Sequence, residues 1–230
     1  MAKVSFISIL ILAMRLPALA LSLLVFLFSC SISMTPEYYN EIKRHRSLAI
    51  LPFEVGLYQI EELKYLSPGQ LKEREKELGC FFQCQAYGYF SRRQPKNRQV
   101  YVVVQDVAET NRKLRELGLS SRQARLLGER ELARFLGVDA FIYGSIDIRP
   151  DFDAANNAYV AGYASYGSVA DMMAVIDIRI ADSNTSSVIW QYREPNKGYS
   201  RREASNDTLL FNNLFMYPLS RLSYKAFEQP

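Results

Sequence analysis

The stretch A-R-F-L-G-V-D-A-F-I-Y-G-S-I, Ala133 to Ile146, decides the fold. Phe135 and Leu136 end an apolar stripe, and Gly137 is placed to stop a helix in the left-handed conformation that favours glycine. Asp139 to Ile148 then follows at once as a buried strand of β-branched and aromatic residues. A helix feeding directly into such a strand is the return half of a strand–helix–strand crossover.

Reading toward the N-terminus, Ala124, Leu127, Gly128, Leu132, Phe135 and Leu136 keep one helical stripe, opened by a capping box of Ser120 with Gln123. The arginines of this segment, Arg122, Arg125, Arg130 and Arg134, read as its solvated side. Asp106 caps a helix through Leu117, with Gly118 set to close it. Val100 to Val104 is a second buried strand. Ser67-Pro68 is a good N-cap and first-turn pair for a helix to about Phe90, with Leu71, Leu78, Phe81, Phe82 and Phe90 on its apolar side. Ser47 to Phe53 is a short strand stopped by Pro52, and the segment after it reads as irregular. Strand, helix, strand, helix pair, strand predicts three parallel strands.

Reading toward the C-terminus, Pro150 to Ser168 is rich in Gly, Ala, Asn and Tyr and reads as a long loop or an irregular hairpin arm. Met172 to Ile180 alternates, with Ile176, Ile178 and Ile180 on one face and Asp177 and Arg179 on the other. The turn Asp182 to Ser187 leads to Val188–Arg193, giving an antiparallel hairpin. Ser205 to Phe227 reads as a helix with Phe211, Phe215, Leu219, Leu222 and Ala226 in its stripe and a kink at Pro218. The expected fold class is α/β: a mixed sheet of three parallel strands from βαβ units plus an antiparallel hairpin, flanked by helices.

The other informative stretch is L-A-L-S-L-L-V-F-L-F-S-C, Leu19 to Cys30. Met14-Arg15 followed by this apolar run resembles the charged and apolar regions of a signal peptide, with translation starting at Met14. L-F-S-C makes Cys30 the lipid-bearing first residue of a mature lipoprotein, although Phe28 is bulkier than the residue usual there. The competing reading is an uncleaved anchor helix, whose uninterrupted part, 16–29, is short for a membrane span of about 20 residues. An acylated cysteine carries two or three chains, enough for stable anchoring. The organisation expected is a signal peptide over 1–29, a tether over 30–46 and one α/β domain over 47–230. The implied placement is the bacterial cell envelope, lipid-anchored, at the outer membrane facing the periplasm.

The chain is 49% hydrophobic and 23% charged, a globular composition. Its net charge of +4 includes Lys3 and Arg15 of the leader, too mild a balance to imply nucleic acid. With Cys30 on lipid, Cys80 and Cys84 remain, spaced to share one helix face; they read as two semi-buried thiols. No hydrolase, zinc, P-loop or dinucleotide motif occurs, and nothing calls for a cofactor or metal. Asp151, Asp153, Asn156 and Asn157 read as turn caps rather than calcium ligands. The only histidine, His45, lies in the expected tether, which excludes a Ser/His/Asp set unless that tether folds back. Tyr159, Tyr163 and Tyr166, on a glycine-containing loop, are the candidate partner-binding residues, set against the plainer reading that they cover a sheet edge.

Three segments, Ser47–Phe53, Ala133–Ile146 and V-I-D-I-R-I-A-D-S-N-T-S-S-V-I-W from Val175 to Trp190, resemble a known group. It comprises the amino-terminal domain of TolB, the curli-secretion lipoprotein, and the outer-membrane lipoprotein activators of peptidoglycan synthases. The resemblance spans about residues 46–195 and departs at Ser186, where the group has a turn glycine. It implies an α/β sandwich in the periplasm that works by protein–protein contact, and it supplies no catalytic residues. The function expected is a non-enzymatic envelope lipoprotein binding a partner in envelope assembly or secretion. The alternatives are an oligomeric secretion channel, for which Val160–Ile180 offers one marginal hairpin, and an envelope hydrolase.

Overall fold

The computed structural model describes residues 31–58, 60, 63–92, 100–118, 123, 125–150, 172–199, 206–222 and 224–226. In chain order the elements are β1 (Ser31–Met34), α1 (Tyr38–Ile42), β2 (Ser47–Ile50), β3 (Glu54–Leu57), α2 (Pro68–Arg92) and β4 (Val100–Val104). There follow α3 (Val107–Glu116), a 3-10 turn (Arg125–Leu127), α4 (Glu129–Leu136), β5 (Ala140–Pro150), β6 (Met172–Asp182), β7 (Ser187–Tyr199), α5 (Asp207–Ser220) and β8 (Tyr224–Ala226). Among the described residues eight strands form one mixed sheet in the order β1-β7-β6-β5-β2-β4-β8, with β3 also on β5.

The parallel part is β5-β2-β4, as the crossovers predict, and the antiparallel part is the β6–β7 hairpin joined to β5. β5 outlasts β2, so its far half, Ser145–Ile148, pairs with β3. β3 is thus a strand where the sequence reads as irregular. Leu51-Pro52-Phe53 forms the break, because proline has no N–H to give a central ladder. α2 lies against that break: Phe53 N–H donates to the Gly79 carbonyl, and a Cβ on Gly79 would stand 2.1 Å from the Phe53 carbonyl oxygen. Only glycine lets helix and strand backbones approach this closely. Glu75 accepts from Leu57 N–H at 2.9 Å, and the buried Gln83 donates to the Ile50 carbonyl at 2.7 Å.

Two cores follow from the alternation of β5 and β6. Ile142, Ile146, Ile176, Ile178 and Ile180 face α2 and α5, where Phe82, Phe211 and Phe215 pack with ring centroids 4.9 to 6.2 Å apart. On the other face Ala49, Phe141, Tyr143 and Ala181 meet Leu114 of α3 and Leu132 and Leu136 of α4.

Three further expectations are corrected. The tether read over 30–46 is built into the domain from Ser31 on: β1 pairs with β7 from Ser31↔Arg193 to Met34↔Trp190, and Tyr38, Ile42 and His45 are buried. The helix read as one stripe from Ser120 is interrupted at Gly128, whose φ of 87° cannot continue a helix; α4 starts after it and ends at Gly137 as expected, φ 70°. The C-terminal helix stops at Ser220, and Tyr224–Ala226 adds instead as a parallel strand on β4. Finally, β7 holds one residue more than β6 between Ile176↔Glu194 and Ala174↔Lys197, a bulge that includes Pro195.

Candidate functional site

α3 and α4 cover only part of their face of the sheet. Beyond Tyr143 the same face carries Ser145, Asp147, Arg149, Met173, Val175, Asp177, Arg179, Gln191 and Arg193, all half-buried or exposed. Period-two alternation puts these side chains opposite the isoleucines of the main core. Two cross-strand rows organise them. Tyr143, Arg179, Gln191 and Ser33 stand in register in one, and Glu54, Ser145, Asp177, Arg193 and Ser31 in the next.

Asp177 is the centre of this face. Arg179 clasps it with two parallel bonds, Nε to Oδ1 at 2.9 Å and Nη2 to Oδ2 at 2.6 Å, and Gln191 Nε2 donates to both oxygens at 3.0 and 3.1 Å. Burial alone would raise the Asp177 carboxyl. The hydrogen bonds from Arg179 and Gln191, with the charges of Arg179 and Arg193, outweigh it and hold the carboxyl below the usual carboxylate range. Arg179 is shifted up, chiefly by its bond to Asp177. The result is a charged surface whose geometry is set before anything binds, with Arg193 exposed at its β7 side.

Across the sheet, the segment read as a tether does fold back and makes a His/Asp pair. His45 Nε2 lies 2.6 Å from Asp182 Oδ1, and both side chains are 0% exposed. Asp182 Oδ2 accepts from Thr185 N–H at 2.5 Å and from Thr185 Oγ1 at 2.7 Å. A pair sealed this way has no route to a substrate and works as a clamp between the N-terminal segment and the hairpin turn. Asp139 holds the same corner by accepting from Arg46 N–H, Ser47 N–H and Ser47 Oγ at 2.7 to 3.0 Å.

Cys30 lies outside the described residues, as do Tyr159, Tyr163, Tyr166 and the candidate turn caps Asp151 to Asn157. The strands that flank this loop are described: Pro150 and Met172 pair with each other, and Arg149 Nη2 lies 3.7 Å from Met173 Sδ. The two strand ends therefore meet at the end of the open face. Cys80 is half-buried and Cys84 exposed, both free thiols that burial pushes up. Of the arginines read as solvated, Arg130 and Arg134 are exposed, and Arg130 donates to the Asn184 carbonyl at 2.8 Å. Among the described residues, no three His, Cys, Asp or Glu side chains converge as a metal site. The Met172–Ile180 part of the hairpin weighed as a channel strand is core strand β6, with its isoleucines already packed.

Asp177 and Arg179 were legible as the polar face of an alternating strand. Gln191 and Arg193 follow the same alternation across the turn. The His45–Asp182 pair spans 137 residues and left no local signal.

No family model matches the chain, and no curated protein does. Among solved structures it is similar to the C-terminal domain of LpoB from Salmonella enterica, at 14% identity over 64% of this chain and 79% of that one, TM-score 0.29. Lipoprotein GNA1162 from Neisseria meningitidis is 16% identical over 76% of this chain and 96% of that one, TM-score 0.34. The PelC dodecamer from Paraburkholderia phytofirmans is 12% identical over 84% of this chain and 96% of that one, TM-score 0.36. The fold class itself stands on the strand pairings.

Proposed function

We propose that this chain is a non-enzymatic lipoprotein, held at a bacterial envelope membrane through Cys30, whose domain binds a partner protein in envelope assembly or secretion. The membrane is the outer one and the domain faces the periplasm. The observation that carries the reading is the open half-face around Asp177, Arg179, Gln191 and Arg193. It is polar, preset by its own hydrogen bonds, and left uncovered by any described helix. Tyr159, Tyr163 and Tyr166, the candidate partner-binding residues read from the sequence, fall between Pro150 and Met172, and in this reading they add amphipathic contact area.

Crosslinking in intact cells tests this, with a photoreactive residue in place of Arg193 and, as a control, in place of Asn184. A discrete adduct from position 193 that Arg179→Glu abolishes supports the reading; equal adducts from both positions would sink it. For the anchor, Cys30→Ala should remove palmitate labelling and release the protein from membranes. Retained labelling refutes that placement.

A further inference from the structure

We propose that the outer rim of β1, with the flank of α1 beside it, lies against the lipid headgroups, so that the sheet stands edge-on to the membrane. The proposal rests on attachment of the chain immediately before Ser31, and it follows equally from a lipid on Cys30 and from an uncleaved anchor.

The place follows from the lack of slack. β1 pairs with β7 from Ser31 itself, so the residue before the fold is one peptide unit, about 3.8 Å, from a sheet strand. The bilayer must therefore touch the molecule near Ser31. Along the strands the way is closed by β7, which runs on from Arg193, the partner of Ser31, to Tyr199. At about 3.3 Å per residue that is roughly 20 Å of protein beyond the attachment. The open face is closed by α3 and α4, a layer about 10 Å thick on which a flat bilayer would rest before it reached Ser31. The core face is already packed, with Ile32 against it. That leaves the rim, since β1 is the end strand of the sheet among the described residues.

The rim suits a wet, polar cover. Thr35 N–H donates to the Ile189 carbonyl, and the alternation of an antiparallel ladder then turns the N–H and C=O groups of Ile32 and Met34 outward, away from β7. Such a row of donors and acceptors matches a phosphate–ammonium headgroup, whose oxygens accept and whose ammonium donates. Ser31–Met34 carries neither proline nor charge to ward off another strand, and the bilayer is the nearest thing to cover it.

The side chains beside the rim agree. Met34 is 47% exposed. α1 packs on β7, the next strand in, with Tyr38 and Ile42 buried and Tyr39 59% exposed. The Tyr39 ring stands edge-on to Tyr38, centroids 5.1 Å apart, and the exposed Lys43 follows one turn later on the same side. A tyrosine ring with a polar tip and a lysine with an apolar stem are side chains of a membrane interface. Standing this way, the sheet turns its Asp177–Arg193 face sideways, toward a neighbour held at the same membrane.

The test uses the full chain, purified from membranes and reconstituted in vesicles of phosphatidylethanolamine and phosphatidylglycerol with radiolabelled lipid. Benzoylphenylalanine replaces Met34 or Tyr39 at the rim, Arg193 on the open face, or Arg112 on α3. α3 lies over β2, four strand spacings or about 19 Å from β1. Two rim positions guard against a variant that fails to fold, which circular dichroism reports. Flotation reads attachment, and photo-crosslinking to lipid reads orientation. Floating protein that takes up several-fold more lipid label at 34 and 39 than at 193 and 112 supports the proposal. Equal label at all four positions, or more at 193, overturns the orientation while attachment stands. A protein adduct at 34 in place of lipid places a second chain on the rim and overturns the orientation too. Protein that does not float overturns attachment, and the orientation falls with it.

Discussion

His45 Nε2 and Asp182 Oδ1 are 2.6 Å apart inside the protein, joining the turn after α1 to the last residue of β6. Each side chain fills a hydrogen-bonding need that the other creates, so removing one leaves a buried polar group stranded.

The first prediction follows from that dependence. Burial alone would raise the Asp182 carboxyl, but bonds from the Thr185 N–H and hydroxyl and from His45 hold it below the usual range. A carboxyl lowered by folding stabilises the fold fully above its unfolded value of about 3.9, and the contribution is lost as pH falls through the lower folded value. Asp182→Asn should cost about 3 kcal/mol at pH 7, and the difference from the parent should shrink at the lowest pH at which both still fold. Urea midpoints across this range measure it. A variant matching the parent at pH 7 would show that the pair holds nothing.

A second prediction concerns the β6–β7 turn. Ser186 has φ 54°, the left-handed region that costs a side-chain-bearing residue and suits glycine. Its buried hydroxyl oxygen also has no hydrogen-bond partner among the described residues. Ser186→Gly should raise stability by about 1 kcal/mol, seen as a higher thermal midpoint. An unchanged or lower midpoint would mean the backbone relaxes without help.

Two glycines in α2 should respond in opposite directions. At Gly79 an added methyl meets the Phe53 carbonyl oxygen at 2.1 Å, so Gly79→Ala must part the helix from the β2–β3 break, costing about 1 to 3 kcal/mol. Gly88 has nothing within 4 Å of its would-be Cβ, and Gly88→Ala should gain about 0.5 to 1 kcal/mol from helix propensity alone. Denaturant midpoints of the two variants with the same sign would contradict the packing described.

What could be read in advance was what depends on near neighbours. The Asp106 cap, whose oxygen accepts from the Ala108 and Glu109 N–H groups, and the Gly137 stop are signals a few residues long. The alternation of Met172–Ile180 is equally local, and it places Asp177 on the open face. What escaped depends on partners far along the chain. β3 exists because β5 is longer than β2, and nothing within Glu54–Leu57 states that. The Ser31–Arg46 segment has the polar make-up of a tether, yet its partners, Trp190 to Arg193 and Asp182, lie beyond residue 180. The break at Gly128 sat inside a stripe that kept helical period, so only its backbone angle separates the two readings.

The Pro195 bulge bears on how copies of this chain coexist. Past Glu194, β7 has no strand on its outer side among the described residues. A flat, bare strand rim of that kind is a template on which another molecule can add and start a fibril. Here the proline withholds an N–H and the extra residue bends the rim away from a straight ladder. Copies of the chain are thereby kept from zipping together along this stretch of the β7 rim, and contact there has to run through the faces of the sheet instead.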